Sequence, residues 1–394
     1  MQSVAVGWQV FEITHRPLDL GYVGLAQFLP GILLSIPAGH AADRFDRRAV
    51  LLTCYVSYGL CSVLLLLQAR GGASSVLPIF AVLILLGITR AFSGPASQSL
   101  VPQLVPEVHF GNAIAWGASI FQVATVLGPA LGGLIYGWAR GAHTVYGAAA
   151  CMYAAAFTFV LMMHVRTGRM EKKNVSVETL LAGFRYVWQE KMILGSISLD
   201  LFAVLLGGAV ALLPVYAEDI LHIGPRGLGA LRSMPAAGAA LMAVALAYRP
   251  LRRRSGLVMF VAVAVFGITT IIFGLSHWVV ISLIALFVAG ASDMISVVVR
   301  NTLVQIATPP AMRGRVSAVN LLFIGASNEL GQFESGITAQ WMGATAAVVL
   351  GGVGTLVVVG LWFWLFPQLR KMDRLTRVQE APVIVEGAKQ QELV

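Results

Sequence analysis

Gly39-His40-Ala41-Ala42-Asp43-Arg44-Phe45-Asp46-Arg47-Arg48 lies between two apolar runs, 22–42 and 49–69. Each run is about twenty residues long, enough to cross a hydrocarbon layer as a helix. A short charged stretch between two such runs is a turn between consecutive transmembrane helices. Its arginines hold that turn on the cytoplasmic side, because cytoplasmic loops carry the excess of Lys and Arg. Gly39 has no Cβ and admits a neighbouring helix at close range. Asp43 is suited to basic groups and to the N-terminus of a facing helix. Gly39, Asp43, Arg44, Arg47 and Arg48 therefore read as a charged cytoplasmic turn between two helices.

Nine further long apolar runs extend outward from this stretch, at 76–97, 112–138, 144–165, 192–217, 227–248, 256–275, 278–306, 316–342 and 343–366. A shorter one, 4–13, precedes them all. It is about half the length a span requires. Met1 has no basic flank or cleavage site after it, so this run does not read as a signal peptide; either the first helix is truncated in this sequence or it does not span. Counting this stub, the chain predicts twelve helices.

Bulk composition agrees. Of 394 residues, 58% are hydrophobic and 11% are charged, with a mean hydropathy of +0.81. Soluble chains carry about 25% charged residues, so lipid must solvate much of this surface. The net charge of +9 does not imply a nucleic-acid partner, because the basic residues lie in short loops. With the stub entering from the cytoplasm, Lys and Arg favour the cytoplasmic loops and tail by about five to one, which places both ends inside. The opposite loops hold Arg16, Arg70, Arg140 and Arg226.

The longest polar stretch, 166–191, divides the chain in two. Gly21-Tyr22-Val23-Gly24-Leu25 recurs as Gly224-Pro225-Arg226-Gly227-Leu228, and Gln103-Leu104-Val105-Pro106 is echoed by Gln305-Ile306-Ala307-Thr308-Pro309. The basic clusters at 47–48 and 252–254 keep nearly the same offset. The expected organisation is an N-terminal helix bundle 1–166, a cytoplasmic linker 167–191, a C-terminal bundle 192–366 and a cytoplasmic tail 367–394. Parallel repeats of this kind form transporters whose site lies between the halves near the bilayer midplane.

Several charges fall inside apolar runs, where they are costly and usually face a cavity or a partner. Arg90, Asp200, Asp293, Asn328, Glu329 and Glu334 are the cavity and coupling candidates. The repeat offset relates Arg90 to Asp293. Glu329 and Glu334 are about 140° apart on a helix, so one is expected at the cavity and the other against a neighbouring helix. Arg232 and Arg300 lie nearer helix ends and are expected to snorkel. In another run, Gly128-Pro129-Ala130-Leu131-Gly132-Gly133 combines a kink-forming proline with close-packing glycines.

The stretch 39–48 resembles the cytoplasmic signature of the major facilitator superfamily, with Asp46 where that signature has glycine, and the resemblance implies that Gly39, Asp43, Arg44, Arg47 and Arg48 form a cytoplasmic gate. Gly128, Pro129, Gly132 and Gly133 resemble the antiporter motif of its exporters, with Ala124 in place of an earlier glycine. Together with Gly24-Leu25-Ala26-Gln27-Phe28-Leu29-Pro30 and the stretches 300–320 and 325–336, they resemble the enterobactin exporter-like, or transmembrane secretion effector, branch. The resemblance implies an all-α membrane fold of two six-helix bundles around a central cavity. It places Arg90, Asp200 and Asp293 on the pathway and makes Arg90 and Asp293 a candidate pair. It implies a monomer in a bacterial inner membrane, exporting a siderophore or another small organic solute by proton antiport. A carboxylate alternating between cavity water and a drier, paired state changes its proton affinity, as such coupling needs.

Two other readings stay open: an uptake permease for a small metabolite, and a receptor or scaffold that moves nothing. No nucleophile–base spacing, phosphate loop or metal-ligand cluster appears, so no enzyme, cofactor or metal is expected. Cys54, Cys61 and Cys151 provide no disulfide framework.

Overall fold

A computed structural model describes residues 1–72, 75–163, 177–249, 251, 254–310 and 312–372. Among these residues every regular element is helical. The N-terminal half comprises α1 (Gln2–Thr14), α2 (Pro17–Leu33), α3 (Ser35–Arg44), α4 (Arg47–Arg70), α5 (Leu77–Leu104), α6 (Phe110–Ala139) and α7 (Ala142–Met162). After α8 (Val177–Gln189), the C-terminal half begins with α9 (Lys191–Leu206). This continues through a 3-10 turn (Ala209–Leu212), α10 (Leu213–Val215) and a π turn (Tyr216–Ile220). Then follow α11 (Gly224–Tyr248), α12 (Ser255–Leu275), α13 (Val279–Ala307), α14 (Arg313–Met342), α15 (Ala344–Leu365) and the single turn α16 (Pro367–Arg370).

Nine spans among the described residues are long and apolar enough to cross a membrane. The other three crossings are special cases. The first, α1, is short, yet its apolar side chains are buried among α2, α6, α7 and α11. The crossing 22–42, read as one run, is two helices that break at Leu34. Pro37 has no N–H to donate to Leu33, so the ladder is interrupted one turn earlier. The third, α14, carries Glu329 and Glu334 in place of a purely apolar surface.

Each half packs internally: α4 against α5 and α7, α11 against α13, and α12 against α13 and α15. The halves meet along two seams, α2 on α14 and α6 on α11. Both seams are built on backbone. A Cβ on Gly336 would lie 3.1 Å from the Cα of Gly21, and one on Gly133 would lie 2.7 Å from the Cα of Gly229. These contacts cluster toward the ends of the helices remote from the basic loops.

Toward the basic end the seams open. From 112 to 121, at the start of α6, every residue except Ala113 is exposed. A helix exposed on all sides for almost three turns has no packing partner there. Leu241, Val244 and Tyr248, on the facing stretch of α11, are exposed as well. The molecule is closed at one end and split by a cleft at the other.

The stretch 166–191 is more than a linker. Residues 164–176 lie outside those described, but α8 lies across the basic end of the C-terminal half. Phe184 meets Phe323 at 5.7 Å between ring centroids, and the Tyr186 hydroxyl donates to the carbonyl of Ala307 at 3.1 Å. In the tail, Leu369 is buried and residues 373–394 lie outside those described.

Candidate functional site

Between the halves lies a polar chamber of about 250 Å³. It is walled by α1, α2, α5, α11 and α14, with Ala211 and Pro214 from the broken stretch after α9. Counting along α5, Arg90 is about 20 Å from the closed end, deep in the bilayer at 1.5 Å per residue. Its polar lining includes Gln27, Arg90, Arg232, Glu329 and Gln332.

Glu329 is the centre of this group. One carboxylate oxygen is 4.0 Å from Nη1 of Arg90, an ion pair that joins the two halves. The other accepts a hydrogen bond from Nε2 of Gln332 at 3.1 Å. Gly24 makes room for it, since a Cβ at that position would stand 2.9 Å from Oε2. The Arg90 side chain is 72% exposed and Glu329 only 19%, so the arginine presents its guanidinium to the open space and the carboxylate is sheltered.

A larger apolar groove of about 680 Å³ runs between α2 and α5, lined by Tyr22, Ala26, Leu29 and Leu33. On α2 these residues lie on the side opposite Leu20, Gly24 and Gln27, so the groove faces away from the chamber. Asp19 is the one charged residue among the described residues lining it. The chamber, where polar groups from both halves converge, is the candidate site.

The expected pairing of Arg90 with Asp293 is replaced by Arg90 with Glu329. Asp293 is partly exposed on α13 and belongs to neither ion pair found among the described residues. Asp200 does not face the chamber. It is buried against Arg300 in an ion pair inside the C-terminal half. Arg300 therefore does not snorkel: its side chain is 2% exposed, because a counter-charge within reach removes the reason to seek water. Arg232 does not snorkel either, since it lines the chamber. Glu334 is satisfied on its own helix, accepting from the Thr338 hydroxyl at 2.9 Å. Asn328 donates to the carbonyl of Ile324 at 2.8 Å and is exposed.

In the stretch 39–48, nothing lies within 4 Å of a Cβ built on Gly39, so the close helix approach expected there is absent in this open-ended state. The side chain of Asp43 lies outside the described residues. Arg44 is exposed and Arg47 is buried. Arg48 reaches the C-terminal end of α7, where Nε donates to the carbonyl of Val160 at 3.0 Å. In the motif of α6, Gly132 packs on Met1 and Gly133 on Gly229, while Pro129 and Gly128 are partly buried. Gln27, Arg232 and Gln332 escaped the sequence reading as site residues. A signal existed for Gln27 and Gln332: polar side chains within apolar runs are costly in lipid unless they line water or a partner.

A family model described as "Transmembrane secretion effector" matches residues 1–390. Among curated proteins, the chain is similar to the enterobactin exporter EntS of Citrobacter koseri, 26% identical over 390 residues and covering 98% of this chain and 91% of that one. It is also similar to the MFS-type transporter YfiS of Bacillus subtilis, 24% identical over 374 residues, with 89% and 85% covered. Among solved structures, a bacterial homologue of the human lysosomal transporter Spinster, inward-facing and occupied, aligns with a TM-score of 0.72 at 13% identity, covering 93% and 94%. The nucleoside transporter NupG aligns with a TM-score of 0.70 at 15% identity, covering 93% and 95%. Both structures share the fold.

Proposed function

The chain belongs to the transmembrane secretion effector family of the major facilitator superfamily, and from that premise we propose that it exports a small organic solute by alternating access in exchange for protons. It is a multi-pass membrane transporter. The observation that carries the reading is the chamber itself. A polar site spans the two halves, is crossed by the Arg90–Glu329 pair, is sealed at one end and opens at the other. A solute entering from the open end meets groups from both halves, and rocking the halves would transfer the opening to the far side.

The export direction rests on the open end together with the exporter relatives. The open end is the basic one, and the positive-inside rule assigns it to the cytoplasm with both chain ends. In a bacterium this is the inner membrane. Loading from the cytoplasm is the first step of export, and the EntS relatives are exporters by name. Siderophores and amphipathic compounds are the solutes to test first. Asp293, an unpaired carboxylate within a span, is the coupling residue proposed here.

Purified protein in proteoliposomes, given an imposed pH gradient, should move solute against the proton flow. Asp293→Asn should flatten the dependence on the gradient while leaving counterflow exchange intact. Flux equally steep in the variant would remove Asp293 from the coupling. Solute accumulation in the direction of proton flow would favour uptake instead.

A further inference from the structure

Resting on the exporter reading, we infer that the solute is an organic acid, whose ionised head takes the place of the Glu329 carboxylate against Arg90 and Arg232. The charge in the chamber is unequal. Arg90 from α5 and Arg232 from α11 contribute two guanidinium groups, and Glu329 from α14 contributes one carboxylate. The lining residues from α1 and α2 are uncharged. Of the other carboxylates in the C-terminal spans, Asp200 is committed to Arg300 and Asp293 is not among the residues lining the chamber. Within the chamber lining, among the described residues, the two guanidinium groups outnumber the one carboxylate, an arrangement that is expensive unless an anion arrives.

Geometry points the same way. Arg90 and Glu329 stand 4.0 Å apart, and no hydrogen bond is formed between them among the described residues. The guanidinium is largely exposed and keeps its fork of N–H donors, the shape that matches a carboxylate or a phosphate ester. Glu329 is sheltered beside Gly24 and held by Gln332, so it acts as a resident counter-ion. A cationic head would face two guanidinium groups and be repelled, which makes the chamber selective by exclusion as well as by attraction. Size fits a head and not a whole molecule: about 250 Å³ lies below the range usual for drug-sized ligands. The remainder of the solute extends into the cleft at the basic end. Glu329, once displaced, moves toward that water and remains ionised.

Four matched probes test the class: benzoate, phenyl phosphate, benzamide and benzylammonium, titrated calorimetrically into the purified full chain in detergent. Benzoate or phenyl phosphate should bind about tenfold more tightly than benzamide, the difference expected for one charge-assisted contact, and benzylammonium should not compete. Which of the two anions binds better separates carboxylate from phosphate substrates. Arg90→Gln and Arg232→Gln should each erase the preference for the anion, and Arg90→Lys should retain part of it. Glu329→Gln should tighten anion binding, because the competitor has lost its charge. Equal binding of benzoate and benzamide, preference for the amine, or unchanged anion affinity in both Arg90→Gln and Glu329→Gln would overturn the inference. So would the absence of binding by either anion. Proton-coupled efflux of a neutral or cationic dye would keep the exporter reading and reject the acid. Tight acid binding without flux would do the reverse.

Discussion

Arg300 and Asp200 hold opposite charges inside a helix bundle, away from the chamber and away from water. Such a pair adds little net stability, but losing one partner strands the other in a poor solvent. Asp200→Asn is expected to cost about 3–5 kcal/mol, read as a lower midpoint of thermal unfolding in detergent. Asp200→Leu combined with Arg300→Met should recover most of that loss. A double variant as unstable as the single one would show that the pair is needed as an ion pair. At this scale the sequence announced which residues matter better than it announced what they touch. Charges within apolar runs stand out in any hydropathy plot, and both Glu329 and Arg90 were visible that way. Their partners depend on how α5, α11, α13 and α14 are rotated, and rotation is decided by packing between segments far apart in the chain.

Among the elements, α8 gained most from the structure. Its polarity made it look like tether, yet one face is a packing surface. Gly183 presses on α14 so closely that a Cβ would sit 2.8 Å from the carbonyl oxygen of Arg315. Gly183→Val should unseat the helix. Protease cleavage within 177–189 should then quicken several-fold, while the spans stay resistant. Leu181, Arg185 and Trp188 point the other way and are exposed. The spacing of Gly183 and Val187 against Leu181, Arg185 and Trp188 was readable, since residues three and four apart share a face. It was hidden because a short run of mixed polarity between two bundles looks like a connector. The break at Leu34 was hidden in the same way: Pro37 was in plain view, but apolar length alone merges α2 and α3 into one span.

For the whole molecule, twelve crossings and two halves follow from hydropathy, basic loops and a repeated offset, because the bilayer leaves a chain few other options. Which end is open does not follow from them. Opening depends on the small energy difference between two packings of the same helices, and no run of residues encodes that locally. The open state makes a direct prediction. In a Cys151→Ser background, Trp116→Cys on the exposed start of α6 should react quickly with a water-soluble maleimide. Adding Gly133→Leu, which forces α6 off Gly229, should prise the closed end apart and slow that labelling several-fold. Unchanged labelling would mean that the two ends do not move in opposition.

The closed end has one more consequence. Its seams are backbone laid on backbone at Gly21, Gly133, Gly229 and Gly336, and neither ion pair among the described residues lies there. Dissolved salt screens charges beyond about 10 Å at 0.1 M, but it leaves van der Waals and Cα–H contacts as they were. Whether the surrounding solution is dilute or briny, these glycine seams hold with nearly the same grip.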